Sequence, residues 1–291
     1  MAQEAWGRWG AEDEAGAPNL IGPEQVRLAA ALVRTGQVVR LTQPISDRTP
    51  VPGHRPGVMH FMGRDGGDYA AGAKRPGGFQ FAEDTVVLPL HVGTHIDALC
   101  HAWCDDHLYN GFPGNTVRST TRALRCGVEK MPPLVTRGVL LDIVRLRGAA
   151  AAPGDSIGRA EIERAVQQAG VSLRDGDVVL IRTGWLETQD LGGPIDFNRE
   201  PGIDVEAALF LAQSGVAVVG ADNFAIEAMP FPTGTVFPVH QRLIRDYGVP
   251  LLEGLVLREL GESGATEFLF AATPLPIVGA TGSPVAPIAV L

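Results

Sequence analysis

Apolar positions fall into two periods along this chain. Near-continuous apolar runs at 138–144 (GVLLDIV), 177–182 (DVVLIR) and 216–221 predict buried strands, because a strand covered on both faces needs no polar alternation. Further strands are expected at 37–42, 85–90, 251–257, 267–272 and 285–290. Helical spacing begins after Gly22-Pro23, with Val26, Leu28, Ala29, Leu32 and Val33 on one face and Gly36 as the stop. A second helix is expected over 159–169, capped by Ser156 and ended by Gly170. Others are expected over 204–213 and near 239–247. Strands interleaved with helices predict an α/β fold with a mixed sheet core and flanking helices.

The stretches between these elements are less regular. Residues 43–82 carry Pro44, Pro50, Pro52, Pro56 and Pro76, with Gly-Gly pairs at 66–67 and 77–78. A connection this long is usually functional, and Met59, His60, Phe61, Met62, Phe79 and Phe81 make it less polar than a linker. It is expected to cover an active site, with Phe61, Phe79 and His60 as substrate contacts and His54 as a further candidate. Residues 1–22 form an N-terminal arm whose Trp6 and Trp9 need a partner surface, their own core or a neighbouring subunit. No repeat and no polar linker divides the chain, so residues 1–291 are expected to form a single domain.

Charge and composition narrow the partners. The net charge of 24 − 33 = −9 disfavours nucleic acid, which needs clustered Lys and Arg. No apolar run approaches the ~18–20 residues of a membrane span, so no membrane partner is expected. The opening residues lack the basic and apolar regions of a signal peptide. With three cysteines, which cannot all pair with one another, this favours a cytoplasmic setting. Cys100 and Cys104 read as small packing residues.

The chemistry concentrates in His91-Val92-Gly93-Thr94-His95-Ile96-Asp97-Ala98-Leu99-Cys100-His101. Imidazoles with a carboxylate suit Zn²⁺, Mn²⁺ or Fe²⁺. A straight strand would spread these side chains over roughly 33 Å, and a straight helix would put His91/His95 and Asp97/His101 on different faces. A bend at Gly93 or near Ala98-Leu99 is therefore required, and a strand ending at the site followed by a turn fits. Asp222, at the end of an apolar strand, is a further pocket candidate, whereas His107 beside Asp105-Asp106 reads as a solvated loop residue. There is no phosphate-binding Gly-rich loop and no G-x-S-x-G elbow.

The run resembles the H-x-G-T-H-x-D-x-x-x-H signature of the metal-dependent cyclase family, which includes bacterial kynurenine formamidases and isatin hydrolases. The similarity extends to Trp6-Gly7-Arg8-Trp9-Gly10, Ala73-Lys74-Arg75-Pro76-Gly77-Gly78 and Leu108-Tyr109-Asn110-Gly111-Phe112. It continues in Val239-His240-Gln241-Arg242, Glu253 and Gly282-Ser283-Pro284-Val285. The resemblance implies a fold of the swivelling β/β/α type and a homodimer or homotetramer. It implies a small-molecule substrate and one or two divalent ions, Zn²⁺ or Mn²⁺. It makes His91, His95 and Asp97 the metal ligands, with His101 and Glu253 available to a second ion. It gives His101, His240 and Glu253 catalytic roles.

The implied reaction is attack of activated water on a cyclic or aryl amide, imide or lactone carbonyl, with His101 as proton carrier. An aldol-type ring closure of a polyketide-like substrate would use the same groups. A non-catalytic, metal-dependent small-molecule binding protein would share the cluster as well.

Overall fold

The computed structural model describes residues 5–73, 75–189 and 195–291. Nine strands drawn from across the chain share one mixed sheet. They are β1 (Val38–Arg40), β4 (His95–Asp97), β5 (Leu134–Asp142), β6 (Val178–Arg182), β7 (Val218–Ala221), β8 (Leu251–Glu253), β9 (Glu267–Ala272), β10 (Gly282–Pro284) and β11 (Ile288–Val290). The remaining strands named here, β2 (Met59–Arg64) and β3 (Glu83–Val87), pair with each other in a separate hairpin. The order across the sheet is β1-β11-β9-β5-β6-β7-β8-β4-β10. The four strands β5 to β8 run parallel, and the ladders on either side are antiparallel.

The parallel centre is where the apolar runs predicted it. Leu140, Leu141, Val179, Leu180, Val218, Val219, Leu251 and Leu252 are buried, each contributing about 1.5–3 kcal/mol through removal of its side chain from water. Helix Arg159–Ala169 packs against β5 through buried Ile162 and Ala165 and against helix Val205–Gln213. Asp204 caps the latter by accepting the Ala207 N–H at 2.8 Å. The α/β class, the mixed sheet and the flanking helices are as expected from the pattern.

Three local expectations change. Ser156 lies in a short strand, and Gly158 takes the cap position of the helix at 159. The first helix ends at Ala30 and buries Ala29, leaving Val26, Leu28 and Val33 exposed. The strand expected at 85–90 is shifted to Glu83–Val87 as β3, whose residues are all exposed. That hairpin occupies much of the loop expected at 43–82. No helix among the described residues is long and apolar enough to cross a membrane. The arm's Trp6 docks on its own chain, donating its indole N–H to the Arg245 carbonyl at 2.8 Å.

Candidate active site

β4 is three residues long and wholly buried. Strand alternation sends His95 and Asp97 to one face and Ile96 to the other. In the antiparallel ladder with β8, His95 stands opposite Glu253, so register alone brings imidazole and carboxylate together. His95 Nε2 lies 3.2 Å from Glu253 Oε2 and 3.7 Å from Asp97 Oδ1. The turn before β4 passes through Gly93 at φ 56°, a conformation glycine adopts without strain. It folds His91 back so that Nδ1 sits 2.7 Å from Asp97 Oδ1. Gly282 of β10 makes room, since a Cβ there would come within 2.7 Å of His91 Cε1. Beyond β4 the chain bends again, and the His101 ring stacks on His91 with centroids 3.9 Å apart. The order is therefore turn, strand, bend, rather than a strand ending at the site; both suspected bends are present.

His240 arrives from the helical segment Pro238–His240. Glu227 fixes it, accepting from the Val239 and His240 backbone N–H groups at 3.0 Å and lying 2.7 Å from His240 Nδ1. Nε2 is thereby aimed inward, 3.3 Å from Glu253 Oε1 and 3.7 Å from Asp97 Oδ2. His91, His95, His101 and His240 thus surround two carboxylates. Among the described residues, Asp97 Oδ2 and Glu253 Oε1 are buried without a hydrogen-bond partner.

Electrostatics follow from this packing. Burial would raise the Asp97 carboxyl, but His101, His91 and His95 hold it well below the usual carboxylate range. Burial and Asp97 push Glu253 up, yet His240 and His95 bring it below its ordinary value. His240 is raised to about 10 against burial, by Glu227 and Glu253. His101 is lowered to about 4 by burial, which outweighs the attraction of Asp97, with repulsion from His91 and His240 adding to the drop.

Two overlapping sets of groups lie close enough to hold a cation: His91, Asp97 and His101, and His95, Asp97 and Glu253. Unpartnered buried carboxylate oxygens are costly, and a cation removes that cost. The nitrogen and oxygen donors suit a borderline divalent metal. The expected ligands His91, His95 and Asp97 are thus divided between two sets that share Asp97, with His101 completing one and Glu253 the other, and His240 lies beside both carboxylates.

A cavity of about 790 Å³ opens over the cluster, reached by His101, His240 and Glu253 and walled by Trp103, Phe197, Phe224, Phe231 and Phe237. The proline-rich loop does contribute to it, through residues 51–55, including His54. His60, Phe61 and Phe79 are corrected: none is among the residues lining it. His60 pairs with Asp84 at 2.6 Å on the hairpin, and Phe61 and Phe79 are exposed. His60 and Phe61 are paired within the β2–β3 hairpin, and Phe79 stacks on Phe81 in the connection between its strands. Asp222 faces inward as a structural acceptor for Thr183 N–H, Thr183 Oγ1 and Gly184 N–H. His107 stays exposed. Sequence reasoning missed Glu227, Arg55 and the phenylalanines from 197 to 237. Arg55 lay within the predicted cover loop, whereas Glu227 carried no local signal.

Comparison with known proteins agrees with the geometry. Residues 39–228 match the family model described as putative cyclase. A kynurenine formamidase of Geobacillus thermodenitrificans (strain NG80-2) is 38% identical over 85 residues, 29% of this chain. The chain spans 37% of the length of that curated relative. A crystal structure of a novel cyclase superposes with a TM-score of 0.90 at 38% identity, over 98% of this chain and 99% of that one. An isatin hydrolase bound to the product analogue thioisatinate shares the fold, with a TM-score of 0.64 at 23% identity over 91% and 95% of the two chains.

Proposed function

The chain belongs to the cyclase family, and from that premise we propose that it is a metal-dependent hydrolase of cyclic or aryl amides, imides or lactones. The observation that carries this reading is the pair of unpartnered carboxylate oxygens, Asp97 Oδ2 and Glu253 Oε1, ringed by four imidazoles beneath an aromatic cavity. As the family resemblance implies, His91, His95 and Asp97 would hold one divalent ion, Zn²⁺ or Mn²⁺, with His101 and Glu253 available to a second; Asp97 is common to the two sets whose ligand atoms lie close together. When bound, such an ion supplies positive charge that polarises a carbonyl and acidifies water.

The chain's own groups do the rest. The aromatic wall orients a flat substrate and excludes bulk water. His101, neutral at pH 7 and facing the cavity, takes the proton of the attacking water and returns it to the leaving nitrogen or oxygen. His240, held cationic by Glu227 and Glu253, places a donor at the cavity wall for developing negative charge. Family resemblance and the exposed apolar side chains of the β2–β3 hairpin support a homodimer or homotetramer. The free cysteines Cys100, Cys104 and Cys126 support a reducing, cytoplasmic setting.

The test pairs metal analysis with turnover of an aryl formamide, a cyclic imide and an aryl lactone. Water uptake with carboxylate formation is expected. His95→Ala should lose the metal and the activity. His101→Ala should keep the metal and lose about 10²–10⁴-fold in rate. Metal retained by His95→Ala, or ring closure with loss of water, would overturn the reading.

A further inference from the structure

Arg55 is a charged side chain in the cavity to which the proposed chemistry assigns no task. It is the single Lys or Arg among the described residues that line that cavity. Pro52 and Pro56 flank it and stiffen its loop. One guanidinium nitrogen, NH1, donates to the His91 carbonyl at 2.7 Å. The guanidinium carbon lies 5.1 Å from the centroid of the Phe224 ring. The head group is therefore held from two sides.

Its charge is not answered. Arg55 makes no other hydrogen bond and no ion pair among the described residues. Glu253 and Asp97 act on it only from beyond ion-pair distance. The guanidinium stays charged at neutral pH, and a half-buried cation on an aromatic wall is costly unless an anion meets its free N–H groups. A planar fork of N–H donors matches a carboxylate in two parallel bonds. The nearby rings suit an aromatic body, with Phe197 and Phe224 edge-to-face at 4.8 Å.

We propose that Arg55 anchors a carboxylate carried by an aromatic substrate, and so makes the cavity selective for aryl amides or lactones bearing that group. The proposal rests on the reading of the cavity as a substrate site. Its positioning role differs from a merely structural one, in which NH1 only straps the loop to the His91 turn.

Isothermal titration of the purified holoenzyme with benzoate and its neutral analogue benzamide separates these cases. Wild type should bind benzoate at least about tenfold more tightly than benzamide. Arg55→Met should bring benzoate down to the affinity of benzamide and leave benzamide within about twofold of wild type. Arg55→Lys, which keeps the charge without the fork, should restore part of the preference. Equal loss of both ligands in Arg55→Met would reduce Arg55 to a strap and overturn the proposal. Undiminished benzoate preference in that variant would place the carboxylate elsewhere, also overturning it. Absence of any preference in wild type would do the same. Turnover of formanilide, which has no carboxylate, tests the hydrolase reading alone, so either idea can fail while the other stands.

Discussion

Strand β4 of the sheet and the β2–β3 hairpin invert the ordinary rule of burial in opposite directions. At β4, His95 and Asp97 are 1% and 0% exposed, inside a sheet otherwise built of Val, Leu and Ile. At the hairpin, Phe61 and Met62 are 54% and 52% exposed. Polar groups inside and apolar groups outside are the informative exceptions. The buried knot is answered by mutual contacts and leaves room for a cation. The hairpin is a two-stranded ribbon, marginal by itself in water, and its apolar side chains are left exposed. Buried polarity is where the proposed chemistry sits, and exposed apolarity is where the proposed assembly can be tested.

The sharpest break of this contrast is at Asp97, which both candidate cation sets share. Asp97→Asn should bring metal content below stoichiometric and cut turnover by on the order of 10³-fold or more. Elemental analysis of the purified variant checks it, and full metal occupancy would show that the buried carboxylate serves packing alone.

Asp222 tests burial without a metal role. Desolvation raises its carboxyl to about 6 despite three donors. Between the unfolded value of 3.8 and about 6, the folded state binds more protons, so stability falls as pH rises through that window and then levels off. The two-unit shift corresponds to on the order of 3 kcal/mol. Denaturant titrations should show the advantage of wild type over Asp222→Asn shrinking from pH 4 to pH 6. A gap independent of pH would remove Asp222 from the account.

Glu227→Gln keeps the size of the side chain but weakens the grip on His240. Rates should drop about 10–100-fold, as for loss of a group that orients a site histidine, while a circular dichroism melt stays near wild type. An unchanged rate would make the Glu227 contact dispensable.

The smallest effect belongs to the hairpin. Phe61→Ser should change the stability of the dilute chain by no more than about 0.5 kcal/mol, being exposed. Sedimentation should nevertheless shift toward smaller species. Unaltered assembly would separate the exposed apolar patch from oligomerisation.

Legibility followed the range of the forces involved. The centre strands could be read because runs such as Val178–Arg182 are apolar over a local window, and local windows suffice for burial on both faces. The cluster at 91–101 was legible as chemistry because four ligand-type side chains fall within eleven residues. The 85–90 stretch misled, since an apolar run does not say which partner strand will cover it. Composition points His60, Phe61 and Phe79 to the cavity, whereas the first two pair within the hairpin and Phe79 is exposed beside Phe81.

Residue types, spacing and the glycine at 93 determined by themselves that this chain carries an α/β sheet and a bent histidine–aspartate motif, because those are local properties of the backbone. Only the tertiary structure decided that His95 faces Glu253 across a ladder, that Glu227 steers His240, and that Arg55 reaches the cavity. Those pairings join residues 13 to 158 positions apart in sequence, and nothing along the chain encodes a distance that only the folded sheet creates.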